Sequence, residues 1–157
     1  MEYTIREMTV TDYPLLNEFL YEAIFIPDGI KPPPKNIIAS PELQIYVERF
    51  GALKADFALV AEVEKKIIGA VWVRIMHDYG HIDDETPSLA ISLYKKYRGQ
   101  GIGTALMKKM LSLLKTHGYK RVSLSVQKSN YAAEMYRKIG FDIIRENEEE
   151  WIMTYNL

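Results

Sequence analysis

The chain has 157 residues with 20 basic and 21 acidic side chains, a formal net charge of -1, 48% hydrophobic residues and 26% charged ones. This is a globular composition, long enough for one domain with its own core and too balanced in charge for a nucleic-acid binder, which needs a clustered excess of Lys and Arg. There is no cysteine, which removes disulfides, thiolate metal sites and a cysteine nucleophile together.

The N-terminal MEYTIREMTVTDY has charges where a signal peptide needs an apolar stretch, and no apolar run approaches the roughly 20 residues of a membrane span. A cytoplasmic protein with neither membrane nor nucleic-acid partners is expected, as a single domain over residues 1–157. Glu2–Met8 alternate and read as a first strand. Thr11 or Asp12 would cap a helix with Leu15, Leu16, Phe19, Leu20 and Ala23 at helical spacing. The segment IPDGIKPPPKN holds a Pro-Pro-Pro run and predicts an extended connection. Pro41 at an early position predicts a second helix over 41–50. From Asp56 the pattern turns to strands: two β segments joined at Glu64–Lys66, a loop DYGHIDDETP and a strand in SLAISLYKKY. A helix follows over 102–117, closed by Gly118. Next come the strand KRVSLSV, a helix over 131–139 capped by Asn130 and ended by Gly140, and a terminal hairpin. The order β α α β β β α β α β β gives a mixed α/β fold, and its strand–helix–strand unit requires a parallel strand pair.

Inside that unit Gly99, Gly101 and Gly103 fall within five residues. Glycines so close cost backbone entropy. A bare loop at a helix N-terminus is an anion site, because free amides and the helix dipole both favour negative charge. A G-x-x-x-x-G-K-[ST] loop fails here, since no lysine precedes Thr104. Gly101-x-Gly103-x-Ala105 comes close to the dinucleotide pattern, but the next strand ends in Ser125-Val126-Gln127 without the required acid. On these residues alone, a turn that only lets helix and strand pack closely stays open.

The combination of two motifs carries more. Arg98-Gly99-Gln100-Gly101-Ile102-Gly103 resembles the R/Q-x-x-G-x-G/A signature of the GNAT N-acetyltransferase family. Further on, Asn130–Phe141 (NYAAEMYRKIGF) is similar to that family's second signature, N-x-x-A-x-x-x-Y-x-K-x-G-F. The specific part spans roughly residues 89–141, and the element order extends the resemblance to the whole chain.

The resemblance implies an acetyl-CoA-dependent N-acetyltransferase with a splayed central pair of parallel strands. It moves acetyl directly to a primary amine of a small molecule or peptide in a ternary complex, and needs no metal. Amides of Arg98, Gly99, Gln100, Gly101, Ile102, Gly103 and Thr104 would wrap the diphosphate of the donor. Arg98 could add charge. The strand holding Ile91, Ser92 and Leu93 would pair with the pantetheine arm, and Asn130 would touch that arm or the loop. Tyr136 occupies the position of the general acid beside the CoA sulfur. The base is open among Asp83, Asp84 and Glu85, with His81 and Glu22 as further candidates; Glu85 is favoured. Tyr21, Phe25, Trp72, Arg74 and Tyr79 would line the acceptor side, Arg74 pairing an acceptor carboxylate. His77 and His81 are four apart, but Tyr79-Gly80 argues against a helix there, so the spacing does not signal a metal. The rivals are a non-catalytic acyl-CoA-binding or sensory module and a nucleotide-binding regulatory protein. The terminal hairpin could pair across a homodimer, as in relatives.

Overall fold

A computed structural model describes residues 2–157. Strands β1 (Thr4–Glu7), β2 (Phe57–Val63), β3 (Lys66–Arg74), β4 (Ser88–Leu93), β5 (Arg121–Gln127), β6 (Asp142–Glu146) and β7 (Glu150–Asn156) form one sheet. It is seven-stranded, in the order β1-β2-β3-β4-β5-β7-β6. Every neighbouring pair is antiparallel except β4 and β5, which are parallel. The expected mixed α/β order and parallel pair are both present. β2 and β3 read as near-continuous apolar runs because helices cover both faces of the sheet.

On one face lie α1 (Leu16–Glu22) and α2 (Pro41–Gln44), over a core that includes Leu16, Phe19, Leu20, Val47, Phe50 and Trp72. On the other face lie α3 (Ile102–Thr116) and α4 (Ala132–Ile139), over Leu106, Met107, Met110, Leu114, Val122 and Leu124. β5 shows how the sequence sorts these faces. Val122, Leu124 and Val126 enter the α3 core, so the intervening Ser123, Ser125 and Gln127 face the α1 side. Full burial of side chains such as Phe19, Leu106 and Leu114 contributes about 1.5–3 kcal/mol each.

Two local readings, of the first and second helices, are corrected, and the expected β2–β3 hairpin is present. The first helix begins as a 3-10 segment, Val10–Leu15, because Pro14 has no amide for an α-helical bond. Its cap is Thr9, with Asp12 accepting from the Thr9 amide at 2.9 Å and from the Thr9 hydroxyl at 3.0 Å. The second helix stops at Gln44, and turns carry the chain on to Phe50. The carbonyls of Ile45, Tyr46 and Glu48, which a continuing helix would use, accept from Arg74 and Trp72 instead. The β2–β3 turn puts Glu64 and Lys65 at φ 51 and 67. It thus has a two-residue hairpin geometry usually given to Asn-Gly, here without glycine.

Candidate active site

β4 and β5 are joined at a single rung, Ser88 opposite Ser123. Beyond it the strands part and leave a wedge open toward their C-terminal ends. Hydrogen-bond alternation decides which backbone groups line it. The Tyr94 amide donates to Ile68 of β3, so Ala90 and Ser92 also direct their backbone groups to β3, and Ile91 and Leu93 direct theirs into the wedge. On the other wall, Lys128 donates to Glu149 while Ser123 donates to Pro87, so the amides of Ser125 and Gln127 point into the wedge. Ser92 is corrected: its backbone faces β3 and its hydroxyl donates to the Phe19 carbonyl at 2.6 Å.

The wide end of the wedge meets the glycine loop. Among the described residues, none of the amides from Gly99 to Thr104 donates to a backbone carbonyl. Gly99 and Gly101 hold φ of 76 and 86, and a Cβ at either would meet no atom within 4 Å. Conformation therefore requires these glycines, while the space above them stays clear. Gly103 differs, since its Cβ direction points at Leu93 (3.5 Å) and the Met135 sulfur (3.7 Å) inside the protein. Free amides, a left-handed turn and the N-terminus of a 15-residue helix together form an anion cradle suited to a diphosphate.

Arg98 is corrected on both counts: its amide donates to the Lys95 carbonyl at 3.2 Å and so is not among the free amides, and its side chain does not reach over the cradle. Its Nε donates to the Leu93 carbonyl at 3.0 Å, and its Nη2 lies 3.4 Å from Glu22, so it ties the end of β4 to α1. Asn130 accepts from the Ala132 amide at 2.9 Å and so caps the turn into α4. With three residues between Ala and Tyr in the family pattern, Tyr136 counts back to Ala132, which puts Ser129 and not Asn130 at the Asn position. Tyr136 is buried on α4 against Phe141, with ring centroids 6.0 Å apart. Its hydroxyl makes no hydrogen bond among the described residues, and burial pushes its pKa up to about 12.

On the α1 face, two expected acceptor residues are structural. Trp72 is wholly buried and donates from its indole to the Tyr46 carbonyl at 3.1 Å. Arg74 is 3% exposed and closes on Asp56, leaving no guanidinium edge for a ligand carboxylate. Tyr21 spends its hydroxyl on the Pro33 carbonyl at 2.6 Å and fastens the proline-rich connection. Phe25 is half-buried and Tyr79 is exposed, so both remain available.

The favoured base, Glu85, lies away from the open end of the wedge. Glu85 is exposed and precedes Ser88, on the closed side of the rung, with its amide capped by Asp83. Asp83 itself accepts from Arg121 at 2.6 Å and from Thr86 at 2.8 Å; the Arg121 bond, with help from Thr86, lowers its pKa to about 2. Loop geometry, without a helix, brings one ligand atom each from His77, His81 and Asp84 within 4.8 Å of one another.

The carboxylate that sequence reasoning missed is Asp78. Tyr46 donates to one of its oxygens at 3.0 Å and Ser88 to the other at 2.9 Å. The adjoining Gly80 presses against β5: its Cβ direction meets the Ser125 nitrogen at 3.3 Å and an Asp78 oxygen at 3.4 Å, and its carbonyl accepts from Ser123. Asp78 thus sits at the apex of the wedge, on the α1 face. Burial, helped by the charges of Asp78 and Glu150, holds the Tyr46 phenol protonated well above its usual range. The only sequence signal was an acid one residue from an aromatic in an otherwise ordinary polar loop.

The acetyltransferase (GNAT) family profile matches residues 20–141. An N-alpha-acetyltransferase of Sulfurisphaera tokodaii is 30% identical over 122 residues, covering 70% of this chain and 72% of that one. A probable N-acetyltransferase, camello, of Xenopus laevis is 31% identical over 83 residues, covering 52% of this chain and 36% of that one. Among solved structures, the paia N-acetyltransferase of Thermoplasma acidophilum in complex with coenzyme A superposes with a TM-score of 0.73 at 20% identity, over 100% of both chains. That last likeness carries the fold.

Proposed function

Because the chain belongs to the acetyltransferase (GNAT) family, we propose that it transfers acetyl from acetyl-CoA directly to a primary amine of a small molecule or peptide. The observation that carries this reading is the wedge between β4 and β5, opening onto unpaired amides at the N-terminus of α3. Its residues fit the donor: amides from Gly99 to Thr104 hold the diphosphate, and backbone groups of Ile91, Leu93, Ser125 and Gln127 receive the pantetheine arm. The donor supplies an acetyl group activated as a thioester. An amide donor in the wedge stabilises the negative charge that develops on the carbonyl oxygen.

The amine's lone pair forms the new C–N bond as the C–S bond breaks. Tyr136, held protonated by burial, gives its proton to the departing sulfur. Of the two protons the acceptor ammonium loses, one reaches sulfur by way of Tyr136 and the other leaves to solvent. Phe25 and Tyr79 offer apolar surface to the acceptor's body. The absence of cysteine fits direct transfer without a cysteine acyl-enzyme.

A coenzyme A donor supports a cytoplasmic location, and no helix among the described residues is long and apolar enough to cross a membrane. β6 lies at the sheet edge with Ile144 49% exposed. Two copies pairing there would form a homodimer, which a monomeric mass by light scattering would exclude.

The test of function is thiol release from acetyl-CoA in the presence of pooled amines, polyamines, amino acids and peptides. The cysteine-free chain adds no thiol of its own. Amine-dependent release is expected. Coenzyme A binding with no release from any amine would leave a CoA-binding module instead.

A further inference from the structure

We propose that Asp78 is the acceptor-recognition residue, whose carboxylate, fixed by Tyr46 and Ser88, receives the acceptor's ammonium group at the apex of the wedge. The inference rests on the acetyl-transfer reading and names a contact on the acceptor side of that site.

Three observations carry it. The first is place. Gly80 packs against the Ser125 nitrogen and an Asp78 oxygen, and Ser88 of the closing rung holds the other Asp78 oxygen. The carboxylate is therefore beside the point where β4 and β5 part, on the face of the sheet opposite α3 and α4. A thioester in the wedge would present its carbonyl carbon close by.

The second is fixation. Each Asp78 oxygen accepts one hydrogen bond from the protein, from Tyr46 at 3.0 Å and from Ser88 at 2.9 Å. Each keeps a second lone pair for an outside donor. Trp72 steadies Tyr46 by donating to its backbone carbonyl. The carboxylate so arrives in one orientation, which lowers the ordering cost of binding.

The third is the lack of a cation. The arginines that reach this end of the sheet have other partners: Arg74 holds Asp56, Arg121 holds Asp83 and Thr86, and Arg145 donates to the His81 carbonyl at 3.4 Å. Among the described residues Asp78 has no salt-bridge partner, although it is half-buried. A partly desolvated carboxylate without a positive neighbour attracts an ammonium ion strongly.

Two coenzyme A thioethers test this without knowledge of the natural acceptor: S-(3-aminopropyl)-coenzyme A and its isostere S-(3-hydroxypropyl)-coenzyme A. Titration calorimetry on the full chain should show the amine bound about tenfold or more tighter, as a charge-assisted hydrogen bond requires. Asp78→Asn should abolish that preference and leave affinity for coenzyme A itself unchanged. If Asp78→Asn does not fold, the double variant Tyr46→Phe, Ser88→Ala keeps the carboxylate but frees it, and the preference should fall severalfold. Wild-type protein that binds coenzyme A without preferring the amine overturns the proposal. So does a preference that survives in Asp78→Asn or, where that variant does not fold, in the double variant. Failure of coenzyme A to bind at all would overturn the acetyl-transfer reading and this inference with it, and is recognised by the coenzyme A titration alone.

Discussion

Arg74 and Asp56 meet side-on through two hydrogen bonds, of 3.0 and 2.8 Å, with both side chains almost wholly out of water. The same guanidinium donates to the carbonyls of Ile45 and Glu48, and Asp56 accepts from the amides of Gly51 and Leu53. One ion pair thus organises the irregular segment between α2 and β2. Removing only the arginine strands a buried carboxylate. Arg74→Met should destabilise the fold by about 3–5 kcal/mol, measured by urea unfolding. A loss below about 1 kcal/mol would mean that water reaches the pair.

The β2–β3 turn stores strain. Glu64 and Lys65 hold positive φ, where side chains are disfavoured. Lys65→Gly should raise stability by roughly 0.5–1 kcal/mol, seen as a higher urea midpoint at unchanged slope. A lower midpoint would show that the lysine's contacts outweigh its backbone cost.

Gly101 is required by conformation in empty space. Gly101→Ala should cost about 1 kcal/mol in stability and weaken coenzyme A binding about tenfold or more, because the methyl group rises into the diphosphate cradle. Gly103→Ala, directed toward Leu93 and Met135, should spare coenzyme A affinity. Equal effects of the two substitutions on binding would remove the cradle from its proposed place.

Tyr136→Phe should lower kcat by about ten- to a hundredfold, at the low end of general acid catalysis because a thiol is a tolerable leaving group. The KM for acetyl-CoA should hardly change. Burial raises this phenol's folded pKa from 10.0 to about 12, so kcat should show no alkaline fall due to it between pH 7 and 10. The linkage has a definite sign: the folded state keeps its proton longer than the unfolded chain. Stability is therefore unaffected below pH 10 and falls as pH rises from about 10 to about 12, by roughly 2–3 kcal/mol. In Tyr136→Phe that slope should flatten.

At the acid end the marker is Asp12, whose pKa is lowered to about 2, first by its bond to Arg6 and then by the Thr9 amide. Its contribution is full above its ordinary value of 3.8 and is lost as pH falls toward 2. Exposure reduces the effect, so Asp12→Asn should cost about 1 kcal/mol at neutral pH and less at pH 2. An equal cost at both values would refute the assignment.

What could be read from the sequence was what local chemistry dictates. Gly118 and Gly140 ended their helices, and the glycines after β4 marked a loop of free amides. Arg74 could not be read that way. A strand arginine looks like a surface residue until Asp56, eighteen positions away, proves to be its partner. The shortened α2 is the same omission, since its carbonyls answer to a strand rather than to helix periodicity. Asp78 was hidden for the opposite reason. Its loop is polar throughout, and only the return of the chain past Ser125 distinguishes it from Asp83, Asp84 and Glu85.

The single rung between β4 and β5 also bears on how the protein lives with its ligand. The amides of Ile91, Leu93, Ser125 and Gln127 form two unsatisfied edges in the middle of a sheet whose other seams are sewn along their length. A pantetheine arm laid there, as proposed, would act as an interior strand, supplying bonds the polypeptide leaves unmade. The metabolite is then partly a building material. Its concentration should set the melting temperature and the exchange rates of those amides as directly as a mutation would.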